Sequence, residues 1–253
     1  MDPMAERKNT PKKKAAPKSR STRKKQPSLV ERGWFWLRRV IWGACFAVLG
    51  FVLLATLVYA VVPPPTTPYM LSERARIGSI KYDWTPIEQI APVMARSAVA
   101  AEDANFCLHW GLDVNAIRDA MDRGRGGAST ISQQVIKNTY LWHGRSWLRK
   151  AIEALWTPLS EAVWSKRRIL ELYLNIAEFD EGVFGVQAAA GHYFGVDAAD
   201  LTPTQAARLA AILPAPKSRS ASNPSPFVRD RTRAIISGAQ TIAADGRAEC
   251  FEN

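Results

Sequence analysis

Residues 40–62 read VIWGACFAVLGFVLLATLVYAVV, a run of 23 residues without a charged side chain. As an α-helix this run would be about 34 Å long, enough to cross a hydrocarbon core about 30 Å thick. A buried core helix and a cleaved signal peptide are the alternatives. A signal peptide usually has a shorter apolar region and a small-residue cleavage site, whereas this run continues into VVPPP. The sequence therefore predicts a single transmembrane helix over residues 40–62.

Charge is distributed unevenly on the two sides of this run. Of the net charge of +11, almost all lies in residues 1–39, which contain 13 Lys or Arg and three acidic residues. Because cytoplasmic flanks carry an excess of Lys and Arg, the N-terminus is predicted in the cytoplasm and the chain after Val62 outside it. Aromatic and basic residues at the start of the run have the composition of an interfacial anchor: Trp34, Phe35, Trp36, Arg38, Arg39 and Trp42.

Residues 1–39 are predicted to be a basic tail that ends in this interfacial anchor. Residues 1–28 are rich in Lys, Pro, Ser and Thr and poor in large apolar side chains, which predicts disorder. RNA binding by the tail is an alternative. A basic excess confined to one side of a membrane helix instead favours a solvated topological determinant that contacts anionic lipid. Nucleic acid is therefore not a predicted partner.

The remainder is predicted to be a Pro-rich spacer, residues 63–72, followed by one domain over residues 73–253. Apolar residues recur every three to four positions over Ile87–Ala101 and again after Pro158, where a break or kink is expected. The segment 202–205, TPTQ, combines a cap residue, a first-turn proline and a third-position Gln, and Pro214 should end the helix that follows. The predicted fold class is all-α (mostly helical).

The three cysteines are too few for a disulfide framework. Cys45 lies in the apolar run. Cys107 and Cys250 could pair only if the fold brings them together, which the sequence does not show.

The first segment with candidate catalytic side chains is residues 98–113, AVAAEDANFCLHWGLD. Glu102 falls at the edge of an apolar stripe near a helix end, where partial desolvation raises the pKa of a carboxyl group. A raised pKa suits a general base that works near neutral pH. An ordinary charged pair of Glu102 and Asp103 is the alternative, and His109 is equally compatible with packing.

The second segment is residues 126–138, GGASTISQQVIKN. Its two glycines permit a tight turn, and Ser129 or Thr130 can cap the helix that follows. Polar residues recur four positions apart on that helix in two rows: Ser129, Gln133 and Lys137, and Thr130, Gln134 and Asn138. Such a stripe suits sugar hydroxyls near an anion, whereas a solvated surface would be expected to use Glu and Lys.

Two further segments carry charge or polarity on helices. Residues 145–153, RSWLRKAIE, concentrate Arg145, Arg149 and Lys150 beside two tryptophans, which is typical of a phosphate-facing patch near an interface. A plain intrahelical ion pair of Arg149 with Glu153 is the alternative. Residues 165–179, SKRRILELYLNIAEF, present Asn175 and Glu178 on a helix with a strong apolar face.

Taken in order, the four segments resemble the glycosyltransferase family 51 domain, the peptidoglycan polymerase module, from about Tyr82 to Pro216. With one membrane helix and no room for a transpeptidase domain, the chain resembles the family's monofunctional members. The resemblance implies a lysozyme-like helical fold with a cleft that opens toward the membrane. It implies a donor glycan on undecaprenyl pyrophosphate, lipid II as the acceptor, inversion at the anomeric carbon, and release of lipid pyrophosphate.

The resemblance also implies residue roles. Glu102 would deprotonate the acceptor hydroxyl, and Glu153 matches the second functional Glu. The implied substrate-binding residues, of which Lys137, Arg145 and Arg149 would stabilise the pyrophosphate, are Asp103, Phe106, His109, Ser129, Thr130, Gln133, Gln134, Lys137, Asn138, Arg145, Arg149, Lys150 and Asn175. The chain departs from the family pattern at Cys107-Leu108, Arg168 and Asp180, none of which touches Glu102.

The implied partners are lipid II, the nascent glycan strand and membrane lipid. Other cell-wall synthesis proteins and a divalent cation, Mg²⁺ or Mn²⁺, at the pyrophosphate are left open. The implied location is the bacterial inner membrane, crossed once, with the catalytic domain in the periplasm. A lytic transglycosylase and an inert glycan- or lipid-binding scaffold are the competing functions. The basic patch argues against the first, because cleavage of glycan does not need one, and the intact Glu102 and Glu153 argue against the second.

Overall fold

The computed structural model of this chain describes residues 28–122, 124, 129–144 and 146–252. The chain divides into two compact units, one up to Gly50 and one from Phe51 onward. Three features predicted from the sequence lie outside the described residues. They are the basic tail over residues 1–27, the two glycines at 126–127 and Arg145.

Helix α1, Leu29–Tyr59, has 31 residues and is the one helix in the described part of the chain that is long and apolar enough to span a membrane. It begins earlier than the predicted residue 40. Ser28 Oγ accepts from the Glu31 amide at 3.2 Å and the Ser28 amide donates to Glu31 Oε2 at 2.7 Å, which is a capping box. It ends before the predicted residue 62, since Pro63 disfavours the helical conformation at the residue before it.

The described part of the second unit is mostly helical, as predicted. Its elements after α1 are α2 (Pro68–Ile77), β1 (Lys81–Tyr82), α3 (Pro92–Glu102), α4 (Val114–Asp122), α5 (Ile131–Tyr140), α6 (Trp147–Val163), α7 (Lys166–Ile176), β2 (Glu178–Asp180), β3 (Val183–Phe184), α8 (Val186–Phe194), α9 (Pro203–Ile212), α10 (Pro226–Ala244) and α11 (Glu249–Glu252). Four short 3₁₀ turns connect them, at Ile87–Gln89, Phe106–Leu108, Ala198–Asp200 and Pro216–Ser218.

The three strands form one small sheet in the order β1-β3-β2. β1 pairs with β3 in parallel, with Lys81 opposite Val183, and β2 pairs with β3 in antiparallel with an irregular register. The sheet is too short to produce a period-two pattern that the sequence could reveal.

Two groups of helices enclose the core of the second unit. Helices α3, α9 and α10 pack against one another, and α5 packs against both α6 and α7. Met94, Ala98 and Leu209 are fully buried in the first group, and Ile131 and Leu170 are fully buried in the second. Both groups present their apolar stripes inward, so the ends of α3, α5 and α6 are fixed relative to one another.

Two predicted helices differ from the observed ones. Of the break or kink expected at Pro158, the break is wrong, because α6 continues through it, with Glu153 and Thr157 buried before it and Ser160 buried after it. A kink at Pro158 stays a prediction. The apolar stripe over Ile87–Ala101 is divided between a 3₁₀ turn and α3, since Pro92 starts a new helix. By contrast, the predicted capping box at the start of α9 is confirmed.

The fold pairs Cys107 with Cys250 in a disulfide, with their Cα atoms 5.7 Å apart. These residues are 143 positions apart in the chain, which is why the sequence alone could not pair them. Cys45 is free and exposed.

Candidate active site

Glu102 is the last residue of α3 and its side chain is only 13% exposed. Gln134 Nε2 on α5 donates to Glu102 Oε2 at 3.0 Å, and Arg231 Nη2 on α10 lies 3.7 Å from Oε1. Burial raises the pKa of Glu102, although Gln134, Arg231 and Lys137 act in the opposite direction. Glu102 is therefore partly desolvated at the helix end where the sequence placed it, and its role as a general base stays a prediction.

The start of α5 is fixed by a capping box. Thr130 is the N-cap, its Oγ1 accepts from the Gln133 amide, and Gln133 Oε1 accepts from the Thr130 amide at 3.1 Å. The Thr130 hydroxyl also donates to the Gly111 carbonyl at 2.6 Å. Of the two caps left open by the sequence, the structure therefore uses Thr130. Ser129 instead accepts from Lys150 Nζ at 2.9 Å, which ties α5 to α6.

Lys137 connects the two predicted catalytic carboxylates electrostatically. Desolvation lowers the pKa of the half-buried Lys137. The charges of Glu153 and Glu102 raise it, and those of Arg149 and Lys150 lower it further. Five of the predicted site residues, from α3, α5 and α6, thus act on one another in a single charged site.

Glu153 is buried beneath two cations of its own helix. Arg149 Nη1 lies 2.7 Å from Glu153 Oε2 and Lys150 Nζ lies 2.5 Å from Oε1. The structure thus forms the intrahelical ion pair that was the alternative interpretation of this residue. A catalytic role for Glu153 stays a prediction, and the observed contacts make it the residue that orients Arg149 and Lys150.

A cavity of about 410 Å³ adjoins this site. It is lined by Tyr69, Gln134, Lys137, Asn138, His143, Tyr173, Ala177, Glu178, Leu213, Pro214, Ala215, Pro216, Lys217 and Ser218. Asn138 Oδ1 is buried at this cavity without a hydrogen-bond partner among the described residues. The cavity therefore presents groups that can bind hydroxyls, such as Asn138, and groups that can bind anions, such as Lys137.

The cavity lining also includes a cation and an imidazole that the sequence did not single out. Lys217 Nζ lies 2.8 Å from Glu73 Oε2 and 3.5 Å from Glu178 Oε2, so two carboxylates position it. The His143 ring stacks on Tyr69, with 3.5 Å between ring centroids. Desolvation and the charge of Lys137 lower the pKa of His143 to about 4, which keeps the imidazole neutral at mildly acidic and neutral pH.

Asp103 is buried and uses both carboxylate oxygens inside the protein. His109 Nε2 lies 2.8 Å from Asp103 Oδ1, and the Ile131 amide donates to Oδ2 at 3.0 Å. Asp103 therefore joins the loop after Glu102 to the first turn of α5. A substrate-binding role for Asp103 or His109 stays a prediction, and their contacts give both residues a positioning role.

Three other predicted substrate-binding residues are also buried. Phe106 is fully buried and lies under Lys166 Nζ, 4.4 Å from its ring centroid. Asn175 is fully buried and exchanges hydrogen bonds with the Thr85 backbone at 2.8 and 2.9 Å. Gln133 is committed to its capping box. Any effect of these three on substrate would pass through the residues they support.

Besides His143, sequence reasoning missed three residues of this region: Arg231, Lys217 and Tyr69. They come from α10, a 3₁₀ turn and α2, and no local pattern connects them to Glu102 or Lys137. An isolated basic residue in an amphipathic helix is typical of an ordinary surface charge. Only the packing of α10 against α3 brings Arg231 to Glu102.

The described residues contain no group of three or more His, Cys, Asp or Glu that could hold a metal ion. Within the same part of the chain, positive charge around the site comes from Lys137, Arg149, Lys150, Lys217 and Arg231.

Comparison with known proteins agrees with this geometry. Residues 71–240, which include every described site residue except Tyr69, match the protein family described as Transglycosylase. A biosynthetic peptidoglycan transglycosylase of Jannaschia sp. (strain CCS1) is 60% identical over 220 residues, covering 86% of this chain and 90% of that protein. The corresponding protein of Caulobacter vibrioides is 40% identical over 219 residues, covering 85% and 96%. The chain is therefore a member of the transglycosylase family.

Proposed function

We propose that this chain polymerises peptidoglycan glycan strands from lipid II. The observation that carries the proposal is the desolvated Glu102, which shares one electrostatic site with Lys137 and the Arg149–Lys150–Glu153 cluster. A proton acceptor beside concentrated positive charge suits a transfer in which a hydroxyl is deprotonated and an anion leaves. The family match and the two relatives support the same activity.

In the proposed reaction, Glu102 takes the proton of the acceptor hydroxyl of lipid II. The hydroxyl oxygen attacks the anomeric carbon of the growing chain, and the bond from that carbon to the pyrophosphate oxygen breaks with inversion. The proton then passes from Glu102 to water. Gln134 fixes one carboxylate oxygen by its 3.0 Å hydrogen bond, and the other oxygen, 3.7 Å from Arg231 Nη2, is proposed to take the proton.

The leaving lipid pyrophosphate carries the negative charge that develops in this step. Lys137, Arg149 and Lys150 supply compensating positive charge, and Glu153 orients the last two at 2.7 and 2.5 Å. Fixed cations in a partly desolvated cleft stabilise such charge without reorganisation during the reaction. Arg145, outside the described residues, is proposed to belong to the same group.

A divalent cation is not given a step in this reaction. The described residues offer no cluster of acidic or His ligands for one. Magnesium or manganese carried in by the pyrophosphate itself would add charge to what the Lys and Arg side chains supply.

Incubation of the detergent-solubilised chain with lipid II tests the proposal. Separation of polymer from monomer should give muramidase-sensitive polymer with the wild type and little with Glu102→Gln. Glu88→Gln is the matched control, since it neutralises an exposed carboxylate that does not line the cavity. Shortening of preformed glycan would instead support a lytic transglycosylase. Binding of lipid II without any product would support an inert scaffold.

We further propose that the chain crosses the inner membrane once, with its N-terminus in the cytoplasm and residues after Val62 in the periplasm. The charge asymmetry of residues 1–39 supports this orientation. The Cys107–Cys250 disulfide also does, because disulfides persist in oxidising compartments. The exposed apolar residues Trp147 and Leu155, 92% and 80% exposed on α6, suit contact with membrane lipid.

Cysteine labelling of intact cells tests the orientation. A cysteine placed in the spacer at residues 63–67 should react with an impermeant reagent, and one placed near Lys12 should not. Reaction at the Lys12 position would contradict the proposed topology.

A further inference from the structure

The last described residues of the chain pack against the loop that follows Glu102. The family match ends at residue 240, so residues 245–252, here named the C-terminal clamp, lie outside it. The loop over residues 103–109, here named the catalytic loop, begins at the residue after the proposed base. This contact joins a segment outside the family match to the loop that follows the proposed base.

Four independent contacts connect the clamp to the catalytic loop and to α3. Arg247 Nη1 donates to the Ala104 carbonyl at 3.0 Å. Cys250 forms the disulfide with Cys107. The ring of the fully buried Phe251 lies 6.3 Å from the ring of Phe106. Glu252 Oε1 lies 3.2 Å from Arg96 Nε on α3.

Arg247 is itself held in place for this contact. Its guanidinium pairs with Asp245, Nε donating to Oδ2 at 2.8 Å and Nη2 lying 2.7 Å from the same oxygen. The Asp245 carboxylate raises the pKa of Arg247, so the side chain stays charged. The Phe251 carbonyl oxygen also accepts a hydrogen bond from Arg167 Nη1 on α7 at 2.9 Å. The clamp is thus anchored to α7 as well as to the loop.

The catalytic loop transmits its position to the site through Asp103. Asp103 bonds His109 within the loop and the Ile131 amide at the start of α5. Gln134, one turn further along α5, donates to Glu102. A displacement of the loop would therefore shift the carboxylate of Glu102 and its hydrogen-bond donor relative to each other.

We propose that the C-terminal clamp, closed by the Cys107–Cys250 disulfide, positions the catalytic loop and so sets the geometry of the proposed base Glu102. This inference rests on the proposed function of Glu102. The clamp residues touch neither substrate nor reacting atoms, so they are positioning residues. Opening the clamp reduces the disulfide to two thiols, which takes two electrons and two protons from a dithiol, and the dithiol becomes a disulfide.

The test uses the full-length protein in detergent, with Cys45→Ser in every sample so that only the clamp cysteines respond to a reductant. Dithiothreitol treatment, the double variant Cys107→Ser/Cys250→Ser and the variant Arg247→Ala each open the clamp in a different way. Arg233→Ala is the matched control for Arg247, because its guanidinium is exposed and pairs only with the exposed Asp230 among the described residues. Lipid II polymerisation and the folded fraction are measured for every sample across mildly acidic to neutral pH.

Opening the clamp should lower kcat about 10- to 10²-fold with a smaller change in KM, the loss expected from a sub-ångström to ångström displacement of a catalytic group. The acidic limb of the rate should also move to lower pH, since water that reaches Glu102 restores its ordinary pKa. The charged or titratable groups that face Glu102 are Asp103, which moves with the catalytic loop, and four groups on neighbouring elements that stay in place: Lys137, Tyr173, Arg219 and Arg231. Re-oxidation of the reduced protein should restore both the polymerisation rate and the position of the acidic limb of its pH profile.

Arg247→Ala combined with the double serine variant should lose less than the product of the separate losses, because both act through one clamp. Wild-type rate and limb in a folded, reduced protein would overturn the proposal. A loss of polymerisation rate in proportion to the folded fraction, with the acidic limb of the pH profile at its wild-type position, would also overturn the proposal. If the double variant does not fold, the reduced wild type and Arg247→Ala decide the question. A wild type that makes no polymer would instead refute the proposed function.

Discussion

Replacement of Glu102 by Gln removes the ability of this side chain to accept a proton and leaves most of its contacts in place. The amide has nearly the shape of the carboxylate, and its oxygen can still accept the 3.0 Å hydrogen bond from Gln134. The attraction of Arg231 at 3.7 Å is lost. The variant therefore tests proton acceptance with little change to the geometry of the cleft.

The structure sets the direction and the size of the expected effects. Loss of a general base typically lowers a rate by 10²- to 10⁴-fold, or about 3 to 5 kcal/mol of transition-state stabilisation. Burial raises the pKa of Glu102, so above its ordinary pKa the ionised group lowers the free energy of unfolding. Each tenfold weakening of the acid in the folded protein corresponds to about 1.4 kcal/mol of lost stability. Glu102→Gln removes this cost and should be at least as stable as the wild type at pH 7.

Initial rates of lipid II polymerisation across mildly acidic to neutral pH are the assay, together with lipid II affinity and thermal unfolding. The wild-type rate should fall as the pH falls through the raised pKa of Glu102, because the base is active only when ionised. His143, with its pKa lowered to about 4, is expected to remain neutral over this pH range. Glu102→Gln should lose the acidic limb and keep its affinity for lipid II.

Two results would refute the reasoning. One is a Glu102→Gln rate close to wild type. The other is a variant that loses rate but keeps the acidic limb, which would place the titrating base elsewhere. A variant with reduced stability at pH 7 would show instead that the carboxylate is not desolvated as described.

Other parts of the chain give three further predictions. Glu153→Gln should weaken donor binding and raise KM as well as lower kcat, because Arg149 and Lys150 lose the carboxylate that orients them; an unchanged KM in steady-state polymerisation kinetics argues against that role. Thr130→Ala should lower the free energy of unfolding by about 1 kcal/mol, and by more if the Gly111 contact is also lost, measured by urea unfolding. Deletion of residues 1–28 should leave polymerisation in detergent nearly unchanged, and loss of most of the rate in a folded protein would contradict this.

The helical part of the fold was predictable because local signals determine it. The apolar run predicted α1, and the Thr-x-x-Gln signature predicted the start of α9. The same signature occurs at Thr130 and Gln133, although Gln133 was assigned to a sugar-facing stripe. Its recognition would have placed Gln133 in the cap of α5 from the sequence alone.

The site was predictable in part. The partial burial of Glu102 was predictable, because the residue lies at the edge of an apolar stripe near a helix end. Lys137 could be found from its place at the end of a polar row. Glu153 was ambiguous, since a spacing of four from Arg149 is common to ion pairs and to functional carboxylates.

The remaining features depend on contacts between distant segments. Arg231 reaches Glu102 only because α10 packs on α3, and Cys250 reaches Cys107 across 143 residues. The continuity of α6 through Pro158 depends on buried neighbours on both sides that outweigh the missing amide. None of these has a local pattern, so they could be described only from the folded chain.

The most direct test of the central claim is the stoichiometry of lipid pyrophosphate release. Purified protein is incubated with lipid II, and the glycosidic bonds formed and the undecaprenyl pyrophosphate released are counted in the same sample. Transfer at the Glu102 site predicts one lipid pyrophosphate for each new bond, with both counts reduced in parallel in Glu102→Gln. Cleavage of glycosidic bonds that shortens the strand, or lipid II bound without release of pyrophosphate, would contradict the claim.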